Sequence, residues 1–306
     1  SAPVKVNYQQ SEQELATIMV KASDAFNRWD AGQQLYTRYI LALVDDASFA
    51  LPESLLTSIG NVLIQDGDPA LKAEQLTLPS FDELLELFEQ IDPVCLLDAI
   101  KQMKLFIAHG MADKLIVQYQ ALHGKPYQSD GRSIAERALK NVCLSYLSML
   151  PTHQALMAGQ YQVADNMTDT LAALSCLALN ASDDYSAAIT DFEQLWYETP
   201  LVMDKCFAIQ AQYNQESIFD KLAQLEQHPL FTLKNPNRAR SLVGAFSHYN
   251  PRYFHCISGR GYRFLAKQIE ALNTINPQVA SRLITPLIQF KKFNQQRQTM
   301  MKAELE

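Results

Sequence analysis

Residues 235–292 read NPNRARSLVGAFSHYNPRYFHCISGRGYRFLAKQIEALNTINPQVASRLITPLIQFKK, punctuated by three Asn-Pro pairs: Asn235-Pro236, Asn250-Pro251 and Asn276-Pro277. Asn is a favoured helix N-cap, and Pro suits the first helical position, where no backbone N–H is needed. Each pair therefore reads as a helix start. After the first pair, Ala239, Leu242, Val243 and Phe246 share one helical face. After the third, Val279, Ala280, Leu283 and Leu287 do the same. Arginines crowd the opening turns: Arg238 and Arg240 after the first pair, Arg282 after the third. A helix start is already partly positive, so cations there gain nothing from the dipole. Such arginines suit an anionic partner such as a carboxylate. Solvated or paired surface charge is the reading that composition alone favours.

Outward from this stretch, helical signals run almost without a break. Ser11-Glu12-Gln13-Glu14 and Ser80-Phe81-Asp82-Glu83 are capping-box patterns. Residues 24–45 place Phe26, Trp29, Leu35, Tyr36, Tyr39, Ile40 and Leu43 at core spacing. Pro52 opens a helix rich in Leu and Ile, and Asp92-Pro93 opens another. That second helix is expected to stop at His109-Gly110, with a new one from Met111 to Leu122. Gly259-Arg260-Gly261 is a turn opening the helix that follows; Phe264 stands where a dinucleotide fingerprint needs its third Gly. Only residues 1–9 differ. Val4, Val6 and Tyr8 alternate with polar residues, as in a short strand, with no partner strand nearby. The expectation is an all-α chain, a superhelix or solenoid-like array of about sixteen helices, with a strand remnant at its N-terminus. No fixed sequence period is present.

Composition narrows the function. The 306 residues are 48% hydrophobic and 19% charged, enough apolar material for a large core or two. No run of 18 apolar residues suggests a membrane span, and SAPVKVNYQQ has no leader pattern. Cys95, Cys143, Cys176, Cys206 and Cys256 are isolated in apolar surroundings, which fits buried, reduced thiols and a cytoplasmic setting. Residues 231–306 hold twelve Lys and Arg against three Asp and Glu, a balance of +9 in a chain of net charge −7. A basic end on an acidic chain suits an anionic ligand or an acidic neighbour. Without a nucleic-acid signature, nucleic acid is not the expected partner. The histidines, His109, His123, His153, His228, His248 and His255, show no zinc-ligand spacing, and no G-x-S-x-G occurs. Residue chemistry supports no self-contained active centre.

Several words of the sequence carry a resemblance. They are Ala2-Pro3-Val4-Lys5, Phe26-Asn27-Arg28-Trp29-Asp30-Ala31, Leu76-Thr77-Leu78-Pro79-Ser80, Asn166-Met167-Thr168-Asp169 and Leu201-Val202-Met203-Asp204-Lys205. Asn235-Pro236-Asn237-Arg238, Arg240-Ser241-Leu242 and the run from Asn276 to Leu283 join them. In this order and over nearly the whole chain, they resemble the C-terminal helical domain of bacterial aminopeptidase N, the zinc alanyl aminopeptidases of the gluzincin class. The resemblance implies a non-catalytic domain, curled into a cup, that covers the active site of a longer zinc enzyme and controls peptide access. It implies that residues 1–9 end a preceding β-sandwich domain and residues 10–306 form the helical domain. Its partners would be the catalytic and β-sandwich domains of the same chain, and peptide substrates. The zinc would sit in the parent's catalytic domain, with no metal and no catalytic residue in this segment. The family's channel-lining arginines match Arg240 and Arg282; Arg238 is a further candidate and also suits a structural role. A free-standing helical scaffold for an acidic partner is the alternative.

Overall fold

The computed structural model describes Tyr8 and residues 10–306, so nearly all of the strand expected over residues 1–9 falls outside it. Among the described residues the chain is helical throughout, and the sole β feature is an isolated parallel bridge between Ile91 and Phe293. No helix is long and apolar enough to cross a membrane. The chain divides into two compact units.

The first unit takes the described residues of Ser1–Ser80, with Ala99–His123 and Gln128–Tyr146. Its opening helix, Glu12–Lys21, starts at the expected capping box: Ser11 Oγ accepts the Glu14 N–H at 3.2 Å, and Glu14 accepts the Ser11 N–H at 2.7 Å. Asp24 caps the next helix, Ala25–Asp45, in the same way. Leu15 and Met19 are fully buried, as are Tyr36 and Ile40 of the Ala25–Asp45 helix. Buried polar groups fix the helix Pro69–Leu76 among its neighbours: Tyr36 Oη donates to the Gln75 carbonyl, and Gln75 Nε2 donates to the Met19 carbonyl, both at 2.8 Å. Phe26 departs from the expected core. It is 64% exposed at the first turn of its helix and touches Trp29 with its ring.

Gly110 is the clearest correction. It does not end a helix; Pro93–Leu122 runs unbroken through it for 30 residues. A Cβ on Gly110 would lie 2.3 Å from Leu56 Cδ1, so the missing side chain is what lets the helix Glu53–Ile64 approach there.

The second unit takes Phe81–Asp98, Gly124–Tyr127 and Leu147–Glu306. Helices Ala155–Val163, Met167–Leu179, Tyr185–Trp196, Pro200–Ala211 and Ile218–Glu226 follow one another across short turns. The 235–292 stretch comes next. Asn235 and Asn276 are N-caps as expected, their side chains accepting the N–H groups of Asn237 and Val279. Asn250 is not. It is buried, and its amide donates to the carbonyls of Ala211 and Tyr213 at 3.1 Å each, closing the end of the Pro200–Ala211 helix instead. Gly259 adopts φ +67°, and a Cβ on Gly261 would strike the Phe254 carbonyl oxygen at 2.2 Å. Both glycines are therefore required by the turn into helix Arg260–Ile275.

Distant parts of the second unit are tied by polar contacts. The Ile91 N–H donates to the Lys292 carbonyl at 2.9 Å, and the Asn294 N–H to the Ile91 carbonyl at 3.0 Å. Arg297, on the last helix Gln295–Ala303, is buried. It donates to Asp92 Oδ2 at 3.2 Å and to the His255 carbonyl at 3.1 Å.

Candidate substrate-contact arginines

The first Asn-Pro pair leads into Pro236–Ala239, which passes directly into a π-helical turn, Arg240–Gly244, and then into Ala245–Tyr249. The Ala245 N–H reaches back to the Arg240 carbonyl, five residues away. The apolar face expected from the sequence is real. Ala239, Leu242, Val243 and Phe246 are fully buried, each such Leu or Phe stabilising the fold by about 1.5–3 kcal/mol. The bulge is not legible in that spacing, because one extra residue in a turn leaves the apolar pattern nearly intact.

The three arginines have different fates. Arg238 is sealed in: its Nε lies 2.8 Å from Asp204 Oδ1, its Nη2 donates to the Pro200 carbonyl at 3.2 Å, and its guanidinium stacks 4.9 Å over the Phe207 ring. All three partners lie on the Pro200–Ala211 helix, so Arg238 anchors the π-helical segment to it. Arg240 is exposed, with Nη1 donating to Asn237 Oδ1 at 3.3 Å. Arg282 is also exposed, on the helix Pro277–Leu283, and its guanidinium makes no hydrogen bond or ion pair among the described residues.

Gly244 joins the segments that carry Arg240 and Arg282. A Cβ there would lie 3.2 Å from Leu283 Cδ2 and 3.7 Å from Arg240 Cβ. The absent side chain thus lets the Pro277–Leu283 helix settle against the π turn, bringing Arg240 and the residue after Arg282 to one contact. The structure places Arg240 and Arg282 on touching elements, both open to solvent. Arg238 is turned to the core.

Part of the surrounding charge is already paired. At least five of the twelve basic residues in 231–306 pair with acids earlier in the chain. Besides Arg238–Asp204 and Arg297–Asp92, these are Arg252–Asp98 at 2.5 Å, Lys267–Glu226 at 3.0 Å and Lys292–Glu86 at 3.2 Å. The basic end is in good part an internal counter-charge. Beside it lies a cavity of about 20 Å³ lined by Asp82, Ser247, His248 and His255 among others. Burial pushes the Asp82 carboxyl up, against the opposing charge of His248. His255 has its Nδ1 3.0 Å from Tyr262 Oη, and burial with the nearby Arg297 charge pushes its imidazole down to about 3.

Among the described residues no group of three or more His, Cys, Asp and Glu is arranged to hold a metal ion. Cys143, Cys176 and Cys206 are buried as expected, but Cys95 is exposed and Cys256 half-buried. Burial pushes the Cys143 and Cys206 thiols up to about 12, leaving them unreactive.

Comparison with known proteins supplies the family. Residues 12–306 match the family described as a domain of unknown function (DUF3458_C) of ARM repeats. The chain is 41% identical over 313 residues to aminopeptidase N of Escherichia coli (strain K12). It is 34% identical over 315 residues to aminopeptidase N of Caulobacter vibrioides. Each comparison takes in 100% of this chain but 36% of the relative, so the chain spans about a third of the length of these proteins. Among solved structures, Legionella pneumophila aminopeptidase A in complex with aspartic acid superimposes with a TM-score of 0.90 at 27% identity, over 99% of this chain and 37% of that one. Matched by its description from residue 12 to the last, this all-helical chain belongs to the DUF3458_C ARM-repeat family and is homologous to one part of aminopeptidase N.

Proposed function

We propose that the chain is the non-catalytic helical domain of a longer, cytoplasmic, zinc-dependent aminopeptidase, where it covers the active site and governs which peptides reach it. Its relatives are aminopeptidases of which it spans a third, and among the described residues no group of three or more His, Cys, Asp and Glu could hold a metal ion. Those residues do not fit a zinc ion. Zinc and its ligands belong, on this reading, to the remainder of the longer chain.

One observation carries the substrate role. Arg240 and Arg282 rise from touching elements, exposed and without ion pairs, while five other cations of residues 231–306 are tied to carboxylates. A guanidinium holds a carboxylate through two parallel hydrogen bonds and stays charged at every physiological pH. On this reading Arg240 and Arg282 take the C-terminal carboxylate or the carbonyls of a peptide, and Arg238 sets the position of Arg240 by anchoring the turn. The scaffold alternative draws less support, because the basic end is partly neutralised from within and the relatives are aminopeptidases.

In the longer enzyme, Arg240→Ala and Arg282→Ala should each raise KM for short peptides about tenfold or more, the loss of a charged hydrogen bond, and leave amino-acid anilides nearly unaffected. Amidating the peptide C-terminus should reproduce the effect in the unaltered enzyme. Equal changes for peptides and anilides would overturn the assignment.

A further inference from the structure

A larger, open cavity of the second unit lies away from these arginines. Helices Ala155–Val163 and Tyr185–Trp196, with the start of Met167–Leu179, enclose an open groove of about 780 Å³. Its floor is apolar, formed by Ala158, Ala188 and the buried Phe192. Its wall carries Trp196 and Leu195, the latter 70% exposed. Tyr161 on one helix donates to Asp191 Oδ2 on another at 2.6 Å, fixing the groove's width. A carboxylate offers about four acceptor positions, so Asp191 has capacity left after that bond. Asp184 lines the groove at the start of the Tyr185–Trp196 helix, yet its side chain makes no cap hydrogen bond. Asp165 completes an acidic rim, and no Lys, Arg or His lines the cavity.

The sequence around the groove is charged in one sense only. Between Lys140 and Lys205 there is no Lys or Arg, while eight Asp and Glu occur. Such segregation lets the field reinforce itself over the groove rather than cancel.

We propose that this groove is a docking site for a cationic amphipathic segment of a partner protein. Apolar side chains of the segment fill the space against Phe192, Leu195 and Trp196, and its Lys or Arg side chains meet Asp184 and Asp191. This is helix-in-groove recognition with charge complementarity setting the sign of the partner. The proposal is independent of the role given to Arg240 and Arg282.

Trp196 lies in the groove, and Trp29 is the other tryptophan of the chain. A Trp29→Phe variant therefore reports binding through Trp196 emission. The probe is a synthetic amphipathic helix about twelve residues long with Leu on one face and Lys on the other, beside its Glu/Leu counterpart. The Lys/Leu peptide should shift Trp196 emission saturably, and the Glu/Leu peptide should not. Asp184→Asn with Asp191→Asn, which keeps an acceptor for Tyr161, should weaken binding about tenfold. Asp45→Asn with Glu53→Gln, two exposed acids of the first unit, should leave it unchanged. No saturable shift, equal response to both peptides, or equal weakening by the two double variants overturns the proposal.

Discussion

At the scale of single residues, burial decides which charged groups are available for chemistry. Arg238 and Arg240 are two positions apart, and one is walled in by Asp204 and Phe207 while the other reaches solvent. That alternation could not be read from the sequence, since both arginines sit in an opening turn and only the packing of the Pro200–Ala211 helix distinguishes them. His255 gives the sharpest residue-scale expectation. Its imidazole is held neutral, with a proton affinity far below the ordinary value of 6.5. The unfolded chain therefore takes up a proton near pH 6.5 that the folded chain refuses until about pH 3, so this residue's contribution is complete above pH 6.5 and lost as pH falls. Urea unfolding should show about 2 kcal/mol less stability at pH 5 than at pH 7 from this residue. A His255→Asn variant should lack that component of the pH slope. The same slope in both proteins would show that His255 is not buried as described.

At the scale of elements, glycines record where helices approach each other. Three of them give an ordered expectation. Gly261→Ala meets the Phe254 backbone, which cannot move aside, and should cost most. Gly110→Ala meets the side chain of Leu56, which can partly repack; overpacking of about 1–3 kcal/mol should exceed the gain in helix propensity of about 1 kcal/mol. Gly159, inside helix Ala155–Val163, has nothing within 4 Å, so Gly159→Ala should stabilise by about 0.5–1 kcal/mol. Urea midpoints of the three variants test the order, and a destabilised Gly159→Ala protein would contradict it. Elements whose signals are local were legible: the Ser11 capping box, the Asn235 and Asn276 caps and the buried face after Pro236 all follow from neighbouring residues. The unbroken helix at Gly110 and the inward turn of the Asn250 side chain were not legible, for one reason. Their partners, Leu56 and the Ala211 carbonyl, are 54 and 39 positions away, and spacing carries no record of them.

At the scale of the whole molecule, the uneven charge along the chain was legible and its meaning was not. At least five of the twelve cations of residues 231–306 meet carboxylates from earlier segments, so the basic end helps hold the second unit together. Arg297, like Arg238, is buried, with Asp92 only partly exposed. Removing residues 295–306 should leave Asp92 without its ionic partner Arg297 and uncover Phe293, lowering unfolding stability by about 2–4 kcal/mol. Urea unfolding followed through Trp196 in the Trp29→Phe background measures it, and an unchanged midpoint would show that the last helix is dispensable.

The π turn at Arg240–Gly244 bears on how this chain varies in length. A helix with one residue more than its hydrogen-bond ladder requires has absorbed an insertion, and it is the place where a deletion does least harm. Removing one residue there converts the turn to ordinary α-helix with the flanking faces kept in step. Removing one from the helix Arg260–Ile275 instead turns everything beyond it by about 100°. Single-residue gaps among relatives should therefore gather at the turn that presents Arg240, which makes the reach of that side chain the property most open to evolutionary adjustment.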